Sequence, residues 1–175
     1  MNPTKETSSL SYLNATGHIP YGMTNDYMFR LILEKNNYVL KGLICSLLSL
    51  TPEKITSVEI QNPILLNETV KDKEFILDIK VLMNNSAIIN LEMQMAYMLN
   101  WRERSLSYLC RAFDQLSHGQ LYDNVKPAIH IGFLNFNPTP DDKPEFYASY
   151  KLLNEKTHSA YSDKFILRVV NLKQI

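Results

Sequence analysis

The strongest constraint on this chain is a change of period. Between Ser57 and Met95 the apolar residues abandon the helical repeat of about 3.6 and alternate with polar ones, a pattern that gives a single apolar face only to an extended strand. In FILDIKVLM, residues 75–83, Leu77, Ile79, Val81 and Met83 share one face while Ile76, Asp78, Lys80 and Leu82 share the other. Asn84-Asn85-Ser86 follows, built from residues that tolerate left-handed turn conformations. Then AIINLEMQM sets Ile89, Leu91, Met93 and Met95 against Asn90, Glu92 and Gln94. The expectation is a β-hairpin with one apolar and one polar face.

Register decides what such a hairpin can do. A three-residue turn over 84–86 pairs Met83 with Ala87 and sets Asp78 across from Glu92. A two-residue turn would set Asp78 across from Leu91, and strand parity favours the first arrangement. Directly opposed residues have Cβ atoms roughly 4.5–5.5 Å apart, so two carboxylates there repel unless something positive lies between them. A divalent cation of the Mg²⁺ or Mn²⁺ type suits hard oxygen ligands of this kind. Two alternatives stay open: both acids point to solvent, or Lys80 on the same face is the partner.

Helical patterns flank the hairpin. Thr24 or Asn25 can cap a helix with Asp26 in its first turn, and apolar residues recur from Met28 to Leu47. Asn36-Asn37 should split this stretch in two, and Thr51-Pro52-Glu53 opens only a short turn. Tyr97 to His118 is read as the longest helix, closed by Gly119, with Tyr97, Trp101, Arg104, Tyr108, Arg111 and Gln115 along one stripe. AIHIGFLNF reads as a strand buried on both faces, FYASYKLL as a strand or irregular segment, and KFILRVVNL as a last strand. His118 and His130 lack ligand spacing and are read as structural.

A chain of 175 residues suits one domain, expected here as a loose leader over 1–20 and a folded unit over 21–175. Eighteen basic residues balance eighteen acidic ones, so no global field steers nucleic acid, and any DNA contact must be local. Cys45 and Cys110 show no zinc or disulfide spacing and are expected to be reduced core residues. The N-terminus lacks the basic and apolar regions of a signal peptide, and no stretch approaches the ~20 apolar residues of a membrane helix. The expected location is the cytoplasm, which makes the N-x-S/T triplets at Asn14, Asn67 and Asn84 chance matches.

The segments LDIKVLMNNSAIINLEMQM, WRERSLSYLCRAFDQLSHGQLY and KPAIHIGFLNF, in that order, resemble the PD-(D/E)XK nuclease family transposases, the recombination-promoting nucleases of Rpn type. The resemblance runs from NDYMFRLIL to RVVNLKQI, and its most specific part is an aspartate on one strand followed by E-x-Q on the next. It implies an α/β fold with a restriction-endonuclease-like core of order α-β-β-β-α-β, a mixed central sheet flanked by helices. It also implies a metal held by Asp78, Glu92 and the Met93 backbone carbonyl, with Asp26 as a further candidate ligand. The implied activity is Mg²⁺- or Mn²⁺-dependent DNA cleavage by an activated water, with Gln94 orienting the water or phosphate and Arg104, Tyr108 and Arg111 meeting DNA.

Gln94 stands where most nucleases of the superfamily carry lysine. That departure keeps a second expectation in place, a catalytically degenerate domain that binds DNA or protein without cutting. A third is a purely structural interaction domain. DNA and a second copy of the chain in a homodimer are the partners expected, and no membrane is. Family members usually extend further, so a helical C-terminal part is expected to be missing here.

Overall fold

Asparagines punctuate the helical N-terminal part of this protein, whose computed structural model describes residues 22–61, 79–139 and 143–175. Asn25 caps helix α1 (Asp26–Lys35), its side chain accepting from the Met28 amide at 3.0 Å. Asn36 serves two helices at once. Its own N–H closes α1 on the Ile32 carbonyl, and its side chain accepts from the Val39 amide at 3.1 Å to open α2 (Asn37–Leu48). The predicted break therefore falls where the two adjacent asparagines put it. A short 3₁₀ turn over Pro52–Lys54 follows, as expected.

Six strands form one sheet: β1 (Val58–Ile60), β2 (Ile79–Met83), β3 (Ala87–Gln94), β4 (Ala128–Leu134), β5 (Tyr147–Lys151) and β6 (Phe165–Asn171). Their order is β1-β2-β3-β4-β6-β5. The pairs β3/β4 and β4/β6 are parallel and the others antiparallel. Parallel β3 and β4 need a crossover, and helix α3 (Trp101–Phe113) supplies it. The result is a mixed sheet with helices on both faces, the restriction-endonuclease-like architecture, in which β5 and β6 extend the expected run of elements.

The hairpin register is the one set by a three-residue turn, with Met83 opposite Ala87 and Ile79 opposite Leu91. Asn84 and Asn85 both adopt φ 51, the left-handed conformation that asparagine tolerates better than branched residues. Asn84 is also tied to the chain before β1. Its Oδ1 accepts from the Thr56 and Ser57 amides and the Thr56 hydroxyl, while its Nδ2 donates to the Lys54 carbonyl at 2.8 Å. Asp78 and the leader over 1–20 lie outside the described residues.

Two layers of side chains hold the sheet. Phe29, Leu33, Leu40 and Ile44 of α1 and α2 bury Ile79, Val81, Ile89, Leu91, Met93, Ile131 and Phe133. On the opposite face, α3 covers Ile88 and Ala128 with Leu109 and Ala112, and covers Leu134 and Val169 with Trp101. Every residue of β4 is buried, as its unbroken apolar run predicts.

Of the alternatives left open for the hairpin, solvent does not hold for Glu92: Asn90 and Glu92 are buried beneath α3. Two expectations are corrected. The helix predicted over 97–118 spans only Trp101–Phe113. Gln115 lies beyond its end and donates to the Ala112 carbonyl at 2.7 Å, satisfying a last-turn acceptor that a further helical turn would have used. Tyr97 precedes the helix and packs edge-on against Phe136, and Gly119, at φ +87, serves a later turn. Cys110 points to solvent from α3; only Cys45 is a core residue.

Candidate active site around Glu92

Pairing of β3 with β4 builds the site. The parallel register sets Asn90 beside His130 and Glu92 beside Gly132, and strand alternation turns all four toward α3. Glu92 is 3% exposed and His130 is 0% exposed. A carboxylate so deep in the protein requires partners of opposite charge or strong donors.

Helix α3 brings a cation. Arg104 Nε donates to Glu92 Oε1 at 2.9 Å, and Arg104 Nη2 donates to the Tyr108 hydroxyl at 3.0 Å, one turn along the same helix. The guanidinium carbon also sits 4.9 Å from the centre of the Tyr108 ring. Arg104 keeps 36% of its side chain exposed, so it bridges buried carboxylate and solvent. Arg111 is exposed, and its guanidinium carbon lies 5.9 Å from the centre of the Tyr108 ring. The predicted trio Arg104, Tyr108 and Arg111 is thus one cluster, whereas Gln115 and Tyr97 of the predicted stripe lie outside the helix.

His130 fills the floor. Its ring lies nearly parallel to Tyr108, with centroids 5.8 Å apart, and Trp101 packs on it at the same separation. Its Nδ1 is 3.0 Å from Asn90 Nδ2, and its Nε2 is 3.5 Å from Glu92 Oε2. Burial, assisted by the positive charge of Arg104, pushes the imidazole down to about 4, so the ring is neutral at physiological pH. Sequence spacing alone gave no reason to connect His130 with Glu92. The signal lay in parity: once β3 and β4 pair in parallel, even-numbered residues of both strands face the same helix.

The remaining candidates are more dispersed. Gln94 continues the Glu92 face and is half-buried, with its amide nitrogen donating to the Ala96 carbonyl at 2.9 Å. Asp26 begins α1, in the layer on the opposite face from the Glu92 side chain, where burial raises its carboxyl above the usual range and its backbone hydrogen bond opposes that rise. No hydrogen bond or ion pair joins Asp26 to Glu92 among the described residues. His118 is exposed.

Glu92 offers a hard anionic oxygen donor in a largely dry setting, and the Met93 carbonyl is the adjacent neutral one, which is the chemistry a Mg²⁺- or Mn²⁺-type ion accepts. Among the described residues no group of three or more His, Cys, Asp or Glu could hold a metal by itself. The donor set that includes Glu92 therefore fits such an ion only with further ligands. No helix among the described residues is long and apolar enough to cross a membrane.

A family model described as PD-(D/E)XK nuclease family transposase matches residues 23–175. No curated protein and no solved structure matches the chain.

Proposed function

The chain belongs to the PD-(D/E)XK nuclease family transposases, and from that premise we propose that it is a metal-dependent DNA endonuclease whose site is centred on Asp78 and Glu92. The observation that carries this reading is the buried Glu92 carboxylate on β3, where the family motif calls for an acid and where folding an isolated charge would be strongly unfavourable. Asp78, Glu92 and the Met93 carbonyl would hold the ion, with Asp26 as a further candidate. Mg²⁺ or Mn²⁺ bound there supplies activation of a water and compensation of charge on the phosphate under attack.

The protein's own groups divide the rest of the work. Because the Gln94 amide nitrogen is engaged with Ala96, its carbonyl oxygen is the end suited to accept from a water. Arg104 restores at this site a cation that the glutamine in place of lysine takes away. One of its nitrogens holds Glu92, and the exposed part of its guanidinium can donate to a phosphate. Arg111, further along α3 and exposed, would meet a neighbouring phosphate, and both arginines lie against the Tyr108 ring.

One observation favours a second reading. The Arg104–Glu92 contact at 2.9 Å already gives the carboxylate a counter-charge, so a domain that binds DNA or protein without cutting could keep this fold without an ion. Supercoiled-plasmid nicking with Mg²⁺, run beside Mn²⁺ calorimetry on wild type, Asp78→Asn and Glu92→Gln, separates the two. The nuclease reading expects nicking and Mn²⁺ binding in wild type and neither in the variants, with circular dichroism unchanged. Nicking by both variants at the wild-type rate would sink it. Absence of Mn²⁺ binding in wild type would favour the non-cutting domain.

A further inference from the structure

Behind Glu92 stand two buried polar residues to which the proposed reaction gives no task. Asn90 and His130 face each other across the parallel β3/β4 pair, and both are almost without solvent contact. Asn90 presents its carboxamide nitrogen to His130 Nδ1 at 3.0 Å. A carboxamide nitrogen only donates, so Nδ1 accepts. With Nδ1 accepting, the proton of the ring is on Nε2.

That Nε2 has no hydrogen-bond partner among the described residues. It is aimed at Glu92 Oε2 from 3.5 Å, while Arg104 grips the other oxygen, Oε1, from the α3 side. The ring cannot turn away, because Trp101 and Tyr108 both pack against it. The carboxylate is therefore hydrogen-bonded by a charged donor at one oxygen, with the neutral ring nitrogen 3.5 Å from the other.

We infer that Asn90 and His130 are positioning residues: Asn90 holds His130 in the tautomer with hydrogen on Nε2, and that N–H sets the orientation in which Glu92 presents its oxygens to the divalent ion. The inference rests on the metal-site reading above. Donors behind a ligating carboxylate matter because they fix its rotation and limit the positions a metal can take, and their removal typically weakens metal binding about 10–100-fold. His130 as a direct ligand would need the opposite tautomer, with a bare Nε2, against which the Asn90 nitrogen argues.

Two measurements on the full chain test this. In long-range ¹H–¹⁵N spectra of the metal-free protein, the His130 proton should be on Nε2 in wild type and should move to Nδ1 in Asn90→Asp, whose carboxylate accepts. By calorimetry, Mn²⁺ affinity should fall about 10–100-fold in His130→Leu and Asn90→Asp. His130→Gln, whose amide can place a donor near the same point, should restore most of that loss. A Nδ1 proton in the wild-type spectrum overturns the inference without requiring any variant to fold. Wild-type affinity in folded His130→Leu, beside weakened binding in Glu92→Gln, overturns the positioning role alone. Unchanged affinity in Glu92→Gln overturns the metal reading and the positioning role with it.

Discussion

The indole of Trp101 occupies the space where a side chain at position 132 would begin: a Cβ on Gly132 would stand 2.3 Å from Trp101 Cζ2 and 2.6 Å from Cη2. Gly132 is the register partner of Glu92, so the flat spot on β4 lets the first turn of α3 sit directly over the site. Gly132→Ala should push Trp101 outward and destabilise the fold by about 1–3 kcal/mol, the range for overpacking a filled core. Trp101→Leu in the same chain should make the alanine better tolerated than the sum of the single changes. Urea unfolding of the two single variants and the double variant checks it, and strict additivity would contradict it.

Arg104 and Glu92 should be energetically coupled. Arg104→Met takes from a buried carboxylate the cation that hydrogen-bonds it, but the arginine is about one-third exposed, so solvent screening reduces the loss to on the order of 1 kcal/mol. Glu92→Gln removes the charge that Arg104 compensates. The double variant should then be more stable than the two single losses predict, and a denaturation cycle measures that difference directly.

Stability of the metal-free protein should fall with acid through His130. Its imidazole is held down to about 4 against an ordinary value of 6.5, so the unfolded chain takes up this proton first. Above pH 6.5 the contribution of the neutral ring is complete, and it is lost as the pH falls from there toward 4. At 1.36 kcal/mol per unit the full difference is on the order of 3 kcal/mol. Thermal melts of wild type and His130→Gln in EDTA should diverge in shape across that window. Parallel pH profiles would show that His130 does not carry the effect.

The two turn asparagines should behave differently although both have φ 51. Asn84 joins the hairpin to Lys54, Thr56 and Ser57, while Asn85 accepts only from Lys126 Nζ at 3.2 Å. Asn85→Gly should be within about 0.5 kcal/mol of wild type, because glycine suits a positive φ. Asn84→Gly keeps that freedom but loses the side-chain bonds, and should cost about 1–3 kcal/mol. Equal melting temperatures for the two variants would refute the distinction.

Much of the fold was legible along the chain because its signals are local. Asn25 and Asn36 accept from amides three residues ahead of themselves and Pro52 fixes its own backbone at the first position of its turn, so the helix starts could be read without neighbours. The hairpin register followed from alternation and turn length, both of which are properties of a continuous segment. The end of α3 is not legible in the same way: apolar spacing continues past Phe113, whereas the Gln115 side chain, held also by the Lys126 carbonyl, terminates the helix through a contact eleven residues away.

The sequence by itself therefore determined that Glu92 lies on a paired strand, on the face opposite Leu91 and Met93, and its D…E-x-Q order pointed to the family. Only the tertiary structure decided what surrounds that carboxylate. Arg104 comes from a helix beginning nine residues after Glu92, and Asn90 and His130 are forty residues apart. They meet because parallel pairing of β3 with β4 superimposes two alternating patterns beneath one helix. Alternation tells which side of its own strand a residue takes; it carries no information about which strand lies alongside.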